Sequence, residues 1–280
     1  MTTLRNPLNS LNIGQWFKLI CGASYQDVAA VRNLSLIYSL AGADCIDVAA
    51  DLAVVHAART GIDVSQTIAN DSLERPWLMV SLNDGRDPHF RKAWFDGQTC
   101  PNSCTRPCEH VCPAEAILPI KQSVFEQSVL EVSGDRCYGC GRCLPICPYG
   151  LIEEHAFTIS AGEILPLIIN EVDAIEIHTQ MGRQQEFHQL WQQLSPYISQ
   201  LKLVAVSCSD QKPNSGAIVE YLMQLYQLMT PKPKQLLWQT DGRPMSGDIG
   251  KGTTRATIKL AQKVLNARLP GYVQLAGGTN

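Results

Sequence analysis

An α/β fold of parallel strands and helices, interrupted once by a small inserted domain, is the fold class this sequence predicts, on three observations. Short apolar runs alternate with amphipathic segments through most of the 280 residues, the pattern of parallel strands joined by helices. That rhythm stops after the run ending at Leu82 and resumes beyond Glu153 and Glu154. Eight of the eleven cysteines fall inside the gap, between Cys100 and Pro148, in two groups of four.

Taken in order, Phe17 to Cys21 reads as the first strand, ended by Gly22, Ala23 and Ser24. Asp27 to Leu40 is an amphipathic helix that Ala41 and Gly42 close, and Cys45 to Ala50 is the second strand. Asp51 caps a helix expected to run to Arg59, before Gly61. Trp77 to Leu82 is the third strand, and Asn83, Asp84 and Gly85 form its turn. Within the gap, Ser123 to Val132 alternates as a small hairpin would. Afterwards come helices over Glu163 to Asn170, Arg183 to Ser199, Gly216 to Met229 and Thr253 to Ala267. Strands at Ala174 to His178, Leu201 to Ser207, Gln235 to Thr240 and Tyr272 to Leu275 alternate with them. A TIM barrel has eight strands, each followed by a helix. The seven strands counted here, the last with no helix after it, predict a TIM-barrel-like parallel barrel that is incomplete or truncated. Its expected division is barrel over 1–95, an α+β insert over 96–155, and barrel again over 156–280. An open doubly wound sheet is the structural alternative.

The second cysteine group gives the insert its chemistry. Cys137, Cys140, Cys143 and Cys147 have gaps of two, two and three residues, and Pro148 follows. This is the bacterial ferredoxin run, in which thiolates hold an iron–sulfur cluster and the fourth Cys serves the other cluster of a pair. The expected partner run is Cys100, Cys104, Cys108 and Cys112, followed by Pro113. Gly139 and Gly141, lacking Cβ, let the backbone turn tightly with amides facing the sulfurs. Pro after the fourth Cys restricts the residue before it and fixes where that Cys leaves its helix. The ligand sets inferred are therefore crossed. Cys112, Cys137, Cys140 and Cys143 form one, and Cys100, Cys104, Cys108 and Cys147 the other, so the insert is expected to be ferredoxin-like with two 4Fe–4S clusters. The first run has gaps of three throughout, so a four-iron, a three-iron and a labile cluster all stay open for its set.

Three plainer readings compete. Structural zinc takes four ligands per site in paired knuckles and does not ask for two runs ending in Cys-Pro. Disulfides suit small secreted scaffolds, whereas this chain is long and its start lacks an apolar run behind a basic segment. A cysteine-bearing helix face would need a continuous helix, which Pro101, Pro107 and Pro113 interrupt.

Composition narrows the function class. A formal net charge of -3 gives no electrostatic case for nucleic acid or an anionic membrane. No stretch reaches the ~18 to 20 apolar residues of a membrane span. Thiols and clusters together fit a reducing cytoplasm. In barrels, active sites lie at the carboxyl ends of strands. Those ends are Gly22 and Ser24, Asp51, Asn83 and Asp84, His178, Ser207 with Cys208, Asp241 with Arg243, and Gly277 with Gly278. Gly250 and Lys251, before a helix, and Gly277 and Gly278, after a strand, are candidates for holding an anion or phosphate. The plain alternatives are a glycine-rich loop at both places and a hydrogen-bonded structural role for His178. Cys208 reads as a buried hydrophobe or a reactive thiol, and Cys21 and Cys45 as core. Arg106, Arg136 and Arg142 flank cluster ligands, where they either tune the clusters and dock an acidic carrier or are simply solvated. Trp16, Trp77 and Trp94 read as packing.

With the two runs set between Phe17-Lys18-Leu19-Ile20-Cys21-Gly22 and Gly247-Asp248-Ile249-Gly250-Lys251-Gly252, the chain resembles the cyanobacterial light-dependent period protein A family, LdpA. The resemblance implies an iron–sulfur protein that reports cellular redox state, and so light, to the circadian clock through protein partners. Family members look longer, which implies a truncated chain. From the residues alone three classes stand: a redox sensor, an oxidoreductase passing electrons to a flavin or substrate at the barrel mouth, and a simple electron carrier. The sensor is favoured over the enzyme because no strand end shows a convincing acid–base or nucleophilic set.

Overall fold

The computed structural model describes residues 6–21, 27–70, 73–85, 91–121, 128–134, 136–137, 139, 141–156, 160–211, 215–242 and 253–276. The anion-site candidates Gly250, Lys251, Gly277 and Gly278 lie outside the described residues, as do Gly22, Ser24, Arg243 and Cys140.

The chain opens with a helix that sequence reading did not anticipate, α1 (Pro7–Asn12), capped by Asn6. Then β1 (Lys18–Ile20), α2 (Val28–Leu40), β2 (Cys45–Ala49), α3 (Leu52–Ile68) and β3 (Trp77–Asn83) follow in βα alternation. The interruption holds β4 (Arg91–Trp94), α4 (Pro107–Val111), β5 (Ile117–Lys121), β6 (Ser128–Val132) and β7 (Glu153–Ala156). The alternation resumes with α5 (Ala161–Ile168), β8 (Ala174–His178), α6 (Gln184–Leu194), β9 (Leu203–Ser209), α7 (Ala217–Leu228), β10 (Leu236–Asp241), α8 (Thr253–Asn266) and β11 (Tyr272–Ala276).

Seven strands form one parallel sheet in the order β1-β2-β3-β8-β9-β10-β11. That order never reverses, so the doubly wound alternative, which requires a switch point, does not hold. The sheet is a curled half-barrel. Its curl brings the N-terminal segment against the last strand, where Trp16 Nε1 donates to Gln274 Oε1 at 2.8 Å and Tyr272 Oη to Asn12 Oδ1 at 2.5 Å. The outer face, with Ile46, Val48, Val80, Ile175, Val204 and Trp238, is buried beneath the helices in the main core. The inner face begins with a second apolar layer of Leu11, Cys45, Trp77, Ala174, Leu203 and Leu237.

Two local readings are corrected. The helix after Asp51 does not stop before Gly61 but runs to Ile68. Gly61 is there because α2 lies so close that a Cβ would stand 2.2 Å from the carbonyl oxygen of Arg32. A glycine that reads as a stop is thus a packing contact. The hairpin expected over Ser123 to Val132 has its first strand upstream, since β5 pairs antiparallel with β6 from Ile117↔Val132 to Lys121↔Ser128.

The interrupting segment follows the carboxyl end of β3 and has its own small core around Phe95, Ala116, Ile117, Leu130 and Ile152. Its β4 and β7 pair antiparallel from Arg91↔Ala156 to Trp94↔Glu153, so the segment is tied off where it enters and leaves.

Candidate metal centre

Of the described cysteines in the two runs, Cys108, Cys137 and Cys143 are buried in the segment's core and Cys100, Cys112 and Cys147 pack against it partly buried. Cys108 lies in α4, buried; Cys112 ends that helix; Cys100 closes the short turn Gly97–Thr99. Cys137 and Cys143 are buried, and Gly139 and Gly141 adopt φ of 73° and 69°, the left-handed region that glycine enters without strain. No disulfide joins the described cysteines.

Thiols from the two runs face one another. Cys112 from the first run and Cys137 and Cys143 from the second line one small apolar cleft, open to solvent, with Ala93, Ile117 and Gly141. Cys147, the final Cys of the second run, lies within electrostatic reach of Cys100 and Cys108 of the first. Burial raises Cys108, with Cys147 and Cys100 adding to the rise, and burial raises Cys100, helped by Cys104 and Cys147. Arg106 works against the rise at Cys100.

Backbone amides point at the sulfurs. Ala93 N–H donates to Cys137 Sγ at 3.4 Å and Ala116 N–H to Cys112 Sγ at 3.2 Å. Arg106 and Leu151 do the same for Cys104 and Cys147, both at 3.4 Å. Although desolvation pushes Cys147 up, the amides of Leu151, Tyr149, Ile152 and Gly150 outweigh it and hold the thiol below its usual range. Sequence reading assigned this role to amides near the glycines. The donors above come from β4, from Arg106 inside the first run, and from residues a few positions after Pro113 and Pro148.

These residues fit an iron–sulfur group. Thiols spread around an apolar space with amides aimed at sulfur are what a polynuclear cluster needs, since its cysteines bind different irons. Of the flanking arginines, Arg106 pairs with Glu109 at 3.5 Å and Arg136 donates to the carbonyl of Glu115 at 3.3 Å, while Arg142 is exposed.

One buried ion pair joins this segment to the sheet. Lys92, beside Ala93 on β4, reaches Asp51 Oδ2 at 2.6 Å and also donates to the carbonyl of Gly134. Asp51 in turn caps α3, accepting from Ala53 N–H at 2.9 Å.

At the carboxyl ends of the strands the structure brings together three residues that the sequence names one by one, His178, Ser207 and Asp241. His178 Nδ1 stands 3.0 Å from Ser207 Oγ, and Ser207 donates to Asp241. Below them Lys18 is buried against Asp47, at 3.1 Å, and Glu176. The signal was present as charged residues at alternate positions of otherwise apolar strands: Lys18, Asp47, Glu176, Asp241. Cys208 is buried, and burial pushes its thiol up to about 12, with Asp241 adding to the rise. Burial likewise carries Cys21 to about 12, and Cys45 is fully buried.

Comparison with known proteins places an iron–sulfur-binding domain over the cysteine-bearing segment. The pattern described as the LdpA Fe-S cluster-binding domain matches residues 100–158, and that of the light dependent period A C-terminal domain matches residues 167–280. The protein named "Light dependent period A" from Synechococcus elongatus is 54% identical over 275 residues, 98% of this chain and 74% of that protein. The iron–sulfur subunit of an arsenate respiratory reductase from a Shewanella species is 28% identical over 102 residues, 32% of this chain and 41% of that subunit. On identity at this level across nearly the whole chain, together with both domain matches, the chain belongs to the light dependent period A family.

Proposed function

We propose that this protein is an iron–sulfur redox sensor that relays cellular redox state, and through it light, to the circadian clock by contact with protein partners. The observation that carries the reading is the mixed origin of the thiols around one pocket, Cys112 from one run and Cys137 and Cys143 from the other. Cys112, Cys137, Cys140 and Cys143 would hold one cluster, and Cys100, Cys104, Cys108 and Cys147 a second, of four-iron or three-iron type. Such a group, when bound, supplies a reversible one-electron change in charge. The clock as destination is supported by the name of the relative from Synechococcus.

A sensor needs an element whose position that charge biases. The best candidate is β4. Its Ala93 amide donates to Cys137, and its Lys92 fastens the segment to Asp51 at the start of α3. A change in charge on the Cys137 sulfur alters the pull on the Ala93 amide, one residue from the ion pair that reaches the sheet.

The test is anaerobic purification with iron and sulfide counts and electron paramagnetic resonance on single Cys→Ser variants. Cys112→Ser and Cys143→Ser should remove one and the same signal, and Cys147→Ser and Cys104→Ser the other. If Cys112→Ser instead removes the signal that Cys104→Ser removes, the crossed assignment is wrong. For the sensing role, reduced and oxidised protein should recover different partners from anaerobic extracts, and Cys143→Ser should erase the difference.

A further inference from the structure

Pro145, Ile146, Pro148 and Tyr149 flank Cys147 on both sides and are all exposed, Ile146 by 43% and Tyr149 by 50%. One exposed apolar side chain needs no explanation, but a continuous apolar patch marks a place of contact. The backbone of the same stretch wraps the sulfur. Amides of Leu151, Tyr149, Ile152 and Gly150 face Cys147 Sγ, that of Leu151 at 3.4 Å. The residues that hold the sulfur are therefore neighbours of, or identical with, those that form the exposed face.

The two cysteine sets differ in their distance from solvent. Of Cys112, Cys137 and Cys143, two are buried. In the other set only Cys108 is buried, and Cys100, Cys104 and Cys147 are partly exposed. Electron tunnelling falls steeply with distance, so a partner exchanges electrons more readily with the set nearer the surface.

Charge selects the kind of partner. The stretches that carry seven of the eight cysteines, 100–108 and 136–152, contain Arg106, Arg136 and Arg142 and no acidic residue, in a chain of net charge -3. Arg142 is exposed, and Arg106, paired with Glu109 at 3.5 Å, lies within electrostatic reach of Cys100, as Cys147 does. An apolar centre with a basic surround suits an acidic protein, and the surround would set its rate of approach. A few residues suffice, because electron-transfer encounters are small, below ~1,200 Å² in total.

We infer that the exposed face formed by Ile146, Pro148 and Tyr149 over Cys147 is the docking surface of an acidic one-electron carrier protein. The inference rests on the redox reading above and names the port through which that reading's clusters are charged. In one encounter the reduced carrier gives up one electron and is oxidised. The group held by Cys100, Cys104, Cys108 and Cys147 accepts it and is reduced, and no bond or proton moves.

The test is anaerobic stopped-flow mixing of the cluster-loaded full chain with a plant-type [2Fe–2S] ferredoxin as the acidic carrier, with each partner in turn supplied reduced. Transfer should be second-order and should slow as salt is added. Tyr149→Ser combined with Ile146→Ser should slow it roughly 10-fold, as loss of a central contact does, and Arg142→Glu by a smaller factor with a flatter salt dependence. Ile68→Ser, which removes an equally exposed apolar side chain from α3, should leave the rate unchanged. Dithionite, which needs no docking, should reduce every variant at the parent rate, with the same paramagnetic signals. Parent protein with no cluster signal overturns the redox reading, and this inference with it. Intact signals with transfer that is absent, or unchanged in Tyr149→Ser, overturn the inference alone. So does transfer that Trp94→Ser slows and Tyr149→Ser does not, or a rate that rises with salt. A dimer of the parent chain in sedimentation velocity that Tyr149→Ser dissolves assigns the face to a second copy and overturns the carrier. Should the double variant lose a cluster, Tyr149→Ser alone decides: an unchanged rate in it refutes the port.

Discussion

Burial gives several single residues more influence than their number suggests. Asp241 is pushed up to about 7, first by desolvation and then by the charge of Glu176. Between its ordinary carboxylate range near ~4 and this value the folded protein holds a proton that the unfolded chain has released, so stability falls as pH rises through that window. Asp241→Asn removes the slope, and its stabilising effect relative to the parent should grow by roughly 1–3 kcal/mol between pH 4 and pH 8. Urea unfolding at the two pH values measures it; an equal effect at both would refute the assignment. Lys18 behaves oppositely. Burial pulls it down, but Asp47 and Glu176 outweigh burial and hold it above its usual range. Lys18→Met strands both carboxylates, and a loss of about 3–5 kcal/mol is expected in the same assay. At Lys92, Lys92→Met should cost about 1–3 kcal/mol and shift the spectrum of the set containing Cys137, with Lys92→Arg recovering part of both. A stability loss with an unmoved spectrum would make Lys92 a fastening and nothing more.

Among the elements, the α2–α3 pair shows how a helix can be read correctly in kind and wrongly in length. Asp51 is the cap that its sequence position promises, accepting from Ala53 and Val54 N–H. Gly61 carries the same local signature as a terminator, and only the approach of α2 tells the two roles apart. Gly61→Ala should therefore destabilise by about 1–3 kcal/mol despite alanine's higher helix propensity. A gain in thermal midpoint would mean that α2 can retreat without cost. The hairpin β5–β6 and the strand pair β4–β7 were hard to locate for a related reason. Strands of four and five residues leave too few alternations to fix an edge.

For the whole molecule, the helices and the outer face of the sheet share one core, while the cysteine-bearing segment has a separate, smaller one. Removing iron with a chelator under anaerobic conditions should leave most of the far-UV helical signal, whereas amides of β4 to β7 lose protection from hydrogen exchange. Global unfolding on chelation would show that the two cores stand or fall together. No described helix is long and apolar enough to cross a membrane.

What the sequence determined by itself was everything set by short-range order. The βα alternation, the place where it breaks, the cap at Asp51, and the two cysteine runs with the left-handed glycines of the second depend on neighbours a few residues away. Tertiary structure alone decided which thiols share a pocket and that Lys18 meets Glu176, 158 positions along the chain. Those meetings depend on strand order, curl and the approach of one helix to another, and many chains with the same local pattern could arrange them differently.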